Sequence, residues 1–141
     1  MKKAVALSLV GVFLGASLFV SPASALPPFK KAFEDKYVTN SSSEGFKDAF
    51  KAASCNTCHV KGKDKKSRNA YGAALAKITG GHAKKDLDDA KASGGDDAQK
   101  AKMAEILKKL DDAFAKVEGQ KSPSGDTYGD LIKAGKLPAG T

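Results

Sequence analysis

The only two cysteines of this 141-residue chain stand three apart, and a histidine follows at once: Cys55-Asn56-Thr57-Cys58-His59. No other feature constrains the fold as strongly. Thiols at that spacing lie along one side of a single helical turn, with the imidazole of His59 beside them. Whatever the chain folds into has to present these three groups together.

Several chemistries use such a pair. A thiol redox site normally sits in a βαβ surround, and the trailing histidine does not belong to it. A zinc site would need further ligands, but there is no second cysteine pair and His82 is the only other histidine. A disulfide closing a two-residue gap is strained and stabilises little. The remaining reading is covalent haem attachment, for which Cys-x-x-Cys-His is the established pattern. The two thiols reach the two vinyl groups of one haem c, and the histidine lies under the iron as its proximal ligand. The expectation is therefore one haem held through Cys55 and Cys58, with His59 as a metal ligand.

The N-terminus agrees with export, which takes a chain to where such attachment normally occurs. Met1-Lys2-Lys3 supplies a positive start, Ala4 to Val20 an apolar stretch, and Ala23-Ser24-Ala25 a small-residue cleavage site. A retained membrane anchor is the alternative. It is disfavoured by Gly11, Gly15, Ser17 and Pro22, since a spanning helix needs about 20 mostly apolar residues. The reading is a signal peptide over 1–25, an N-terminal extension over 26–44 and a haem-carrying domain over 45–141, in a periplasmic or otherwise exported protein with no stable membrane insertion once the signal is removed.

Beyond residue 25 the chain reads as all-α, with almost no run of alternating β-branched residues. Phe29, Phe33, Tyr37 and Val38 recur at helical spacing. A helix over Glu44 to Ser54, capped by Ser43 or a neighbouring serine, delivers the chain to Cys55. Asn69 to Ile78 carries an apolar stripe of Tyr71, Ala74, Leu75 and Ile78, and Gly80-Gly81 ends it. Lys84 to Ser93 is polar and weakly helical, and Gly94-Gly95 breaks it. The longest helix then starts at Asp96 or Asp97, and Met103, Ile106, Leu107, Leu110, Phe114 and Val117 line one face. A short amphipathic turn with Tyr128, Leu131 and Ile132 closes the chain. Phe46, Phe50 and Tyr71 are expected to pack on the haem.

The net charge of +8 stays positive when the leader is removed. Export and the lack of a basic helix or aromatic-interleaved strand argue against nucleic acid. An acidic protein partner fits better. Lys61, Lys63, Lys65, Lys66 and Arg68, opposed only by Asp64, follow directly after the motif. They are either a solvated loop or a docking patch beside the haem edge.

The sixth position on the iron decides between carrying electrons and binding small ligands. Once the leader is gone Met103 is the only methionine, and methionine is a common partner of histidine on haem c. A methionine on an apolar stripe is equally at home as core filling. His82, a lysine or an open site are the alternatives.

The order of elements, a Phe-bearing helix leading into Cys-x-x-Cys-His and a long helix near the end, resembles monohaem cytochromes c of class I. Leu26-Pro27-Pro28-Phe29, Arg68-Asn69-Ala70-Tyr71-Gly72 and Thr127 to Pro138 are similar to segments of small secreted cytochromes of planctomycete-type bacteria. The resemblance implies a small helical domain wrapped around one haem, and electron transfer rather than catalysis. Its site residues are Cys55, Cys58 and His59. Two class I features are missing: the Gly-Pro-x-Leu stretch after the motif, and a methionine in a loop before the last helix. The competing expectations are a five-coordinate haem module for carbon monoxide or nitric oxide, a subunit of a larger redox complex, and a haemless structural protein.

Overall fold

A computed structural model describes residues 26–139. The expected signal peptide, 1–25, lies outside these residues. Within them the chain is helical, and its extended structure is two isolated bridges, His59 with Arg68 and Lys121 with Thr127.

The first helix, α1 (Pro27–Phe33), opens on two prolines, whose missing N–H groups cost nothing in a first turn. It runs on into a π-helical turn, Glu34–Val38. That wider turn brings Phe33 and Val38, five residues apart, to the same buried side. Next, α2 (Glu44–Ala53) is capped by Ser43, whose Oγ accepts from the Phe46 N–H at 3.2 Å. Phe46 and Phe50, one turn apart, form its buried face.

The third helix, α3 (Ala70–Thr79), starts at Asn69 and ends on left-handed Gly80. The longest stretch, α4 (Ala83–Glu118), is interrupted where Gly94 and Gly95 leave helical geometry. Gly95 takes a φ of +71°, which an L side chain adopts only with strain. The arms 83–93 and 96–118 fold back on each other, so that Gln99 Nε2 donates to the Leu87 carbonyl at 3.4 Å. The polar arm is more helical than its composition suggests. Lys84–Asp88 and Lys85–Asp89 pairs support it, each by only a few tenths of a kcal/mol, and Leu87 anchors it by burial. Finally, α5 (Tyr128–Lys133) is capped by Thr127.

The core gathers around Phe33. Its ring stacks on Phe50 at 5.5 Å and meets Tyr71 and Phe114 edge-on at 6.0 and 5.9 Å. Segment 26–44, read from the sequence as an extension, thus supplies the ring at the centre of the 45–141 unit. Val117, Ala113, Leu110, Tyr128 and Leu137 complete the core.

Candidate functional site

The motif lies where α2 gives way to a single tight turn, Ser54–Thr57. The reversal happens at Ser54, which has a φ of +50° although it is not glycine. Such a conformation is held only by its surroundings. Here the Thr57 hydroxyl, itself buried, donates to the Ser54 carbonyl at 2.9 Å. Cys58 N–H and His59 N–H both return to the Cys55 carbonyl, at 3.2 and 3.1 Å. Cys55, Cys58 and His59 therefore sit on one compact turn, as their spacing requires.

Asn69 fixes this turn to α3. Its Nδ2 donates to the carbonyls of Asn56 and Thr57 at 3.0 and 3.1 Å. Its Oδ1 accepts from the Gly72 N–H at 2.9 Å, capping the helix, and its backbone N–H donates to the Cys58 carbonyl at 3.1 Å. One side chain thus caps a helix and orders the motif. Sequence reasoning missed it in that role. The available signal was an asparagine ahead of an apolar stripe, which reads as a cap and nothing more.

Both cysteines are free and neither residue is fully buried, although the Cys58 sulfur itself points inward. Burial, helped by the neighbouring Cys55, pushes the Cys58 thiol up to about 12. Burial also lowers the His59 pKa, with the charges of Lys65 and Arg68 acting in the same direction and the Ser67 backbone carbonyl against it. The shift is toward the neutral imidazole, the form that binds metal. Its Nδ1 is buried without a hydrogen-bond partner, and so is the Tyr71 hydroxyl. Two thiols and the one imidazole beside them are a donor set suited to haem c. Zinc fits less well: among the described residues no three His, Cys, Asp or Glu side chains cluster as a metal site.

The basic run is a loop shaped by its one acid. Asp64 Oδ1 accepts from the N–H groups of Lys66 and Ser67 at 2.8 and 3.1 Å. Among the described residues no ion pair involves Lys61, Lys63, Lys65, Lys66 or Arg68, whereas lysines on every helix but α3 and α5 are paired. Arg68 instead donates to the Gly81 carbonyl at 3.1 Å. Val60, at the start of the loop, is an exposed large apolar side chain.

The candidate sixth ligands are placed differently from one another. Met103 lines a groove of about 310 Å³ between the arms of α4, with Leu26, Lys84, Leu87, Asp88, Gln99 and Lys100. None of Cys55, Cys58 or His59 lines that groove. His82 is exposed at the start of α4, next to the Gly81 carbonyl that Arg68 holds. Phe46, Phe50 and Tyr71, expected to face a haem, are buried in the aromatic core. No helix of the described residues is long and apolar enough to cross a membrane. No family model, curated protein or solved structure matches this chain.

Proposed function

We propose that this chain is an exported monohaem cytochrome c that carries single electrons between larger redox proteins and is not itself an enzyme. The observation that carries the reading is the arrangement of the Cys55 and Cys58 thiols and the His59 imidazole on one turn clamped by Asn69. Bound there, the haem supplies reversible one-electron chemistry at its iron. The protein's part is to hold the cofactor. Cys55 and Cys58 would anchor it, the His59 imidazole would be the iron ligand, and Asn69 keeps the three groups in register.

The partner in this reading is an acidic redox protein. Asp64 is spent on the loop's own backbone, so the charge of Lys61, Lys63, Lys65 and Lys66 is left to act outward beside the motif. Positive potential at that place raises the rate of encounter with a negative surface. A second reading, a five-coordinate haem module for small ligands, is favoured by one observation: Met103 faces a groove to which the motif does not contribute.

The test is extraction of the purified protein with acidified organic solvent, followed by spectra of both oxidation states with and without carbon monoxide. Haem that stays with the chain, and leaves when Cys55 and Cys58 are both serine, is the expected result. Complete extraction from the unaltered protein would remove the cytochrome reading.

A further inference from the structure

Met103 is the only methionine among the described residues. It is partly exposed and lines the groove of about 310 Å³ between the arms of α4, together with Leu26 and Leu87. One water molecule takes up about 30 Å³ in the liquid, so an oxidant of similar size reaches the sulfur there. A thioether is soft and polarizable, and it is one of the few side-chain groups that accepts an oxygen atom under mild conditions.

What the sulfur packs against holds the hairpin together. Leu87 is 4 % exposed but stands outside the aromatic core, so its burial depends on side chains of the hairpin itself, Met103 among them. Two polar ties also join the arms, and both are weak. The bond from Gln99 Nε2 to the Leu87 carbonyl, at 3.4 Å, is near the outer limit of a hydrogen bond. The Lys91–Asp96 pair, at 3.0 Å, spans the glycine break between two exposed side chains and contributes little. Apolar packing in the groove therefore decides whether the arm 83–93 stays docked.

We propose that Met103 is a site of reversible sulfoxidation by peroxides, and that its oxidation releases the arm 83–93 from the arm 96–118. The sulfur lone pair forms the new S–O bond as the peroxide O–O bond breaks, and the remaining oxygen leaves as water. Sulfur loses two electrons and the peroxide gains them. The product sets a polar S–O group beside Leu26 and Leu87, where a thioether had been. An unpaired polar group costs free energy in apolar surroundings, so the oxidised chain favours the open hairpin, in which water reaches the sulfoxide. Gly94 and Gly95, already outside helical geometry, are the point about which the arms separate. Reduction of the sulfoxide restores the apolar side chain and the docked arm. The inference uses only the hairpin and is independent of the cytochrome reading.

The test treats the full chain, as purified, with hydrogen peroxide and follows it by peptide mass mapping and amide hydrogen exchange. Met103 should gain one oxygen atom, and amides of the arm 83–93 should then exchange roughly tenfold faster, the order of effect of one unpaired polar group in an apolar site. Amides of α2 and α3 should keep their rates. Methionine sulfoxide reductase should return both the mass and the rates. Met103→Leu, which cannot take up the oxygen, should keep the arm slow in peroxide, and reversal by the reductase decides the matter if that variant fails to fold. No oxygen on Met103 would overturn the proposal, a sulfur shielded on an iron included. So would oxygen uptake that leaves the arm's exchange unchanged, or that raises exchange equally along the whole chain.

Discussion

Gly72 lies so close to Cys58 that a β-carbon built on it would stand 2.0 Å from the Cys58 carbonyl oxygen. The neighbour is backbone in a turn already fixed by Asn69, so it has little freedom to retreat. Replacing Gly72 by alanine should therefore separate α3 from the motif and destabilise the protein by about 1–3 kcal/mol or more, the cost of overpacking. Gly129 provides the comparison. A β-carbon there would stand 3.1 Å from the Glu118 carbonyl, and Gly129→Ala should cost less. Urea denaturation of the two variants checks the order, and a Gly72→Ala protein as stable as the unaltered one would contradict it.

Asn69 joins two tasks that a substitution can separate. Asn69→Asp retains an oxygen to cap the Gly72 N–H but loses the Nδ2 donors and sets a negative charge against the carbonyls of Asn56 and Thr57. A residue that only caps tolerates aspartate, because Asn and Asp are equivalent at that position. The clamp predicts otherwise: Asn69→Asp should be destabilised by roughly 1–3 kcal/mol, about as much as Asn69→Ala, because two partly buried carbonyls lose their donor. Thermal melts of both variants decide it.

The helices were legible in the sequence because each carries its own signals. Ser43, Asn69 and Thr127 cap α2, α3 and α5, and Gly80 closes α3 with a left-handed residue. The grouping of Cys55, Cys58 and His59 was legible because spacing of one and three leaves no alternative on a tight turn. Three things were not. The arm 83–93 has little apolar periodicity, and its docking depends on Leu87, a single side chain. The place of Phe33 at the centre of the core depends on contacts with residues as distant as Phe114, which no local pattern encodes. The second task of Asn69 depends on two carbonyls that only the folded chain brings within reach.

The loop after the motif yields a prediction about rates. Its lysines are free of the ion pairs that occupy most helical lysines, and Asp64 is turned inward to the backbone. On the proposed electron-carrier reading, changing Lys63, Lys65 and Lys66 to glutamate should slow electron exchange with an acidic partner at low salt. The difference should fade as the Debye length shrinks from about 30 Å at 0.01 M to about 3 Å at 1 M ionic strength. Stopped-flow mixing across that range measures it. Equal rates at low salt would leave the loop as a solvated surface.

If the chain carries the proposed haem, the sixth position on its iron is open to a sharper test, because the two candidate side chains lie in different surroundings. Met103 is partly exposed and shares its groove with Leu26, Leu87 and Gln99, so its thioether is already used in packing the two arms of α4. Truncating a fully buried methionine costs about 2–5 kcal/mol, and a partly exposed one should cost less. Met103→Ala should accordingly weaken the hairpin while the haem spectrum of both oxidation states stays as it was. If Met103 were on the iron, the same change would lower the reduction potential, since thioether sulfur favours ferrous iron, and would let carbon monoxide bind the reduced protein. His82 answers to a separate variant. It follows a carbonyl that Arg68 holds, and Arg68 forms a backbone bridge with His59, so the turn carrying His82 is tied to the segment carrying the proposed proximal ligand. A spectrum altered in His82→Ala and not in Met103→Ala would make the protein a bis-histidine carrier of lower potential. Unaltered spectra in both, with carbon monoxide binding to the unmodified reduced protein, would make it the five-coordinate module.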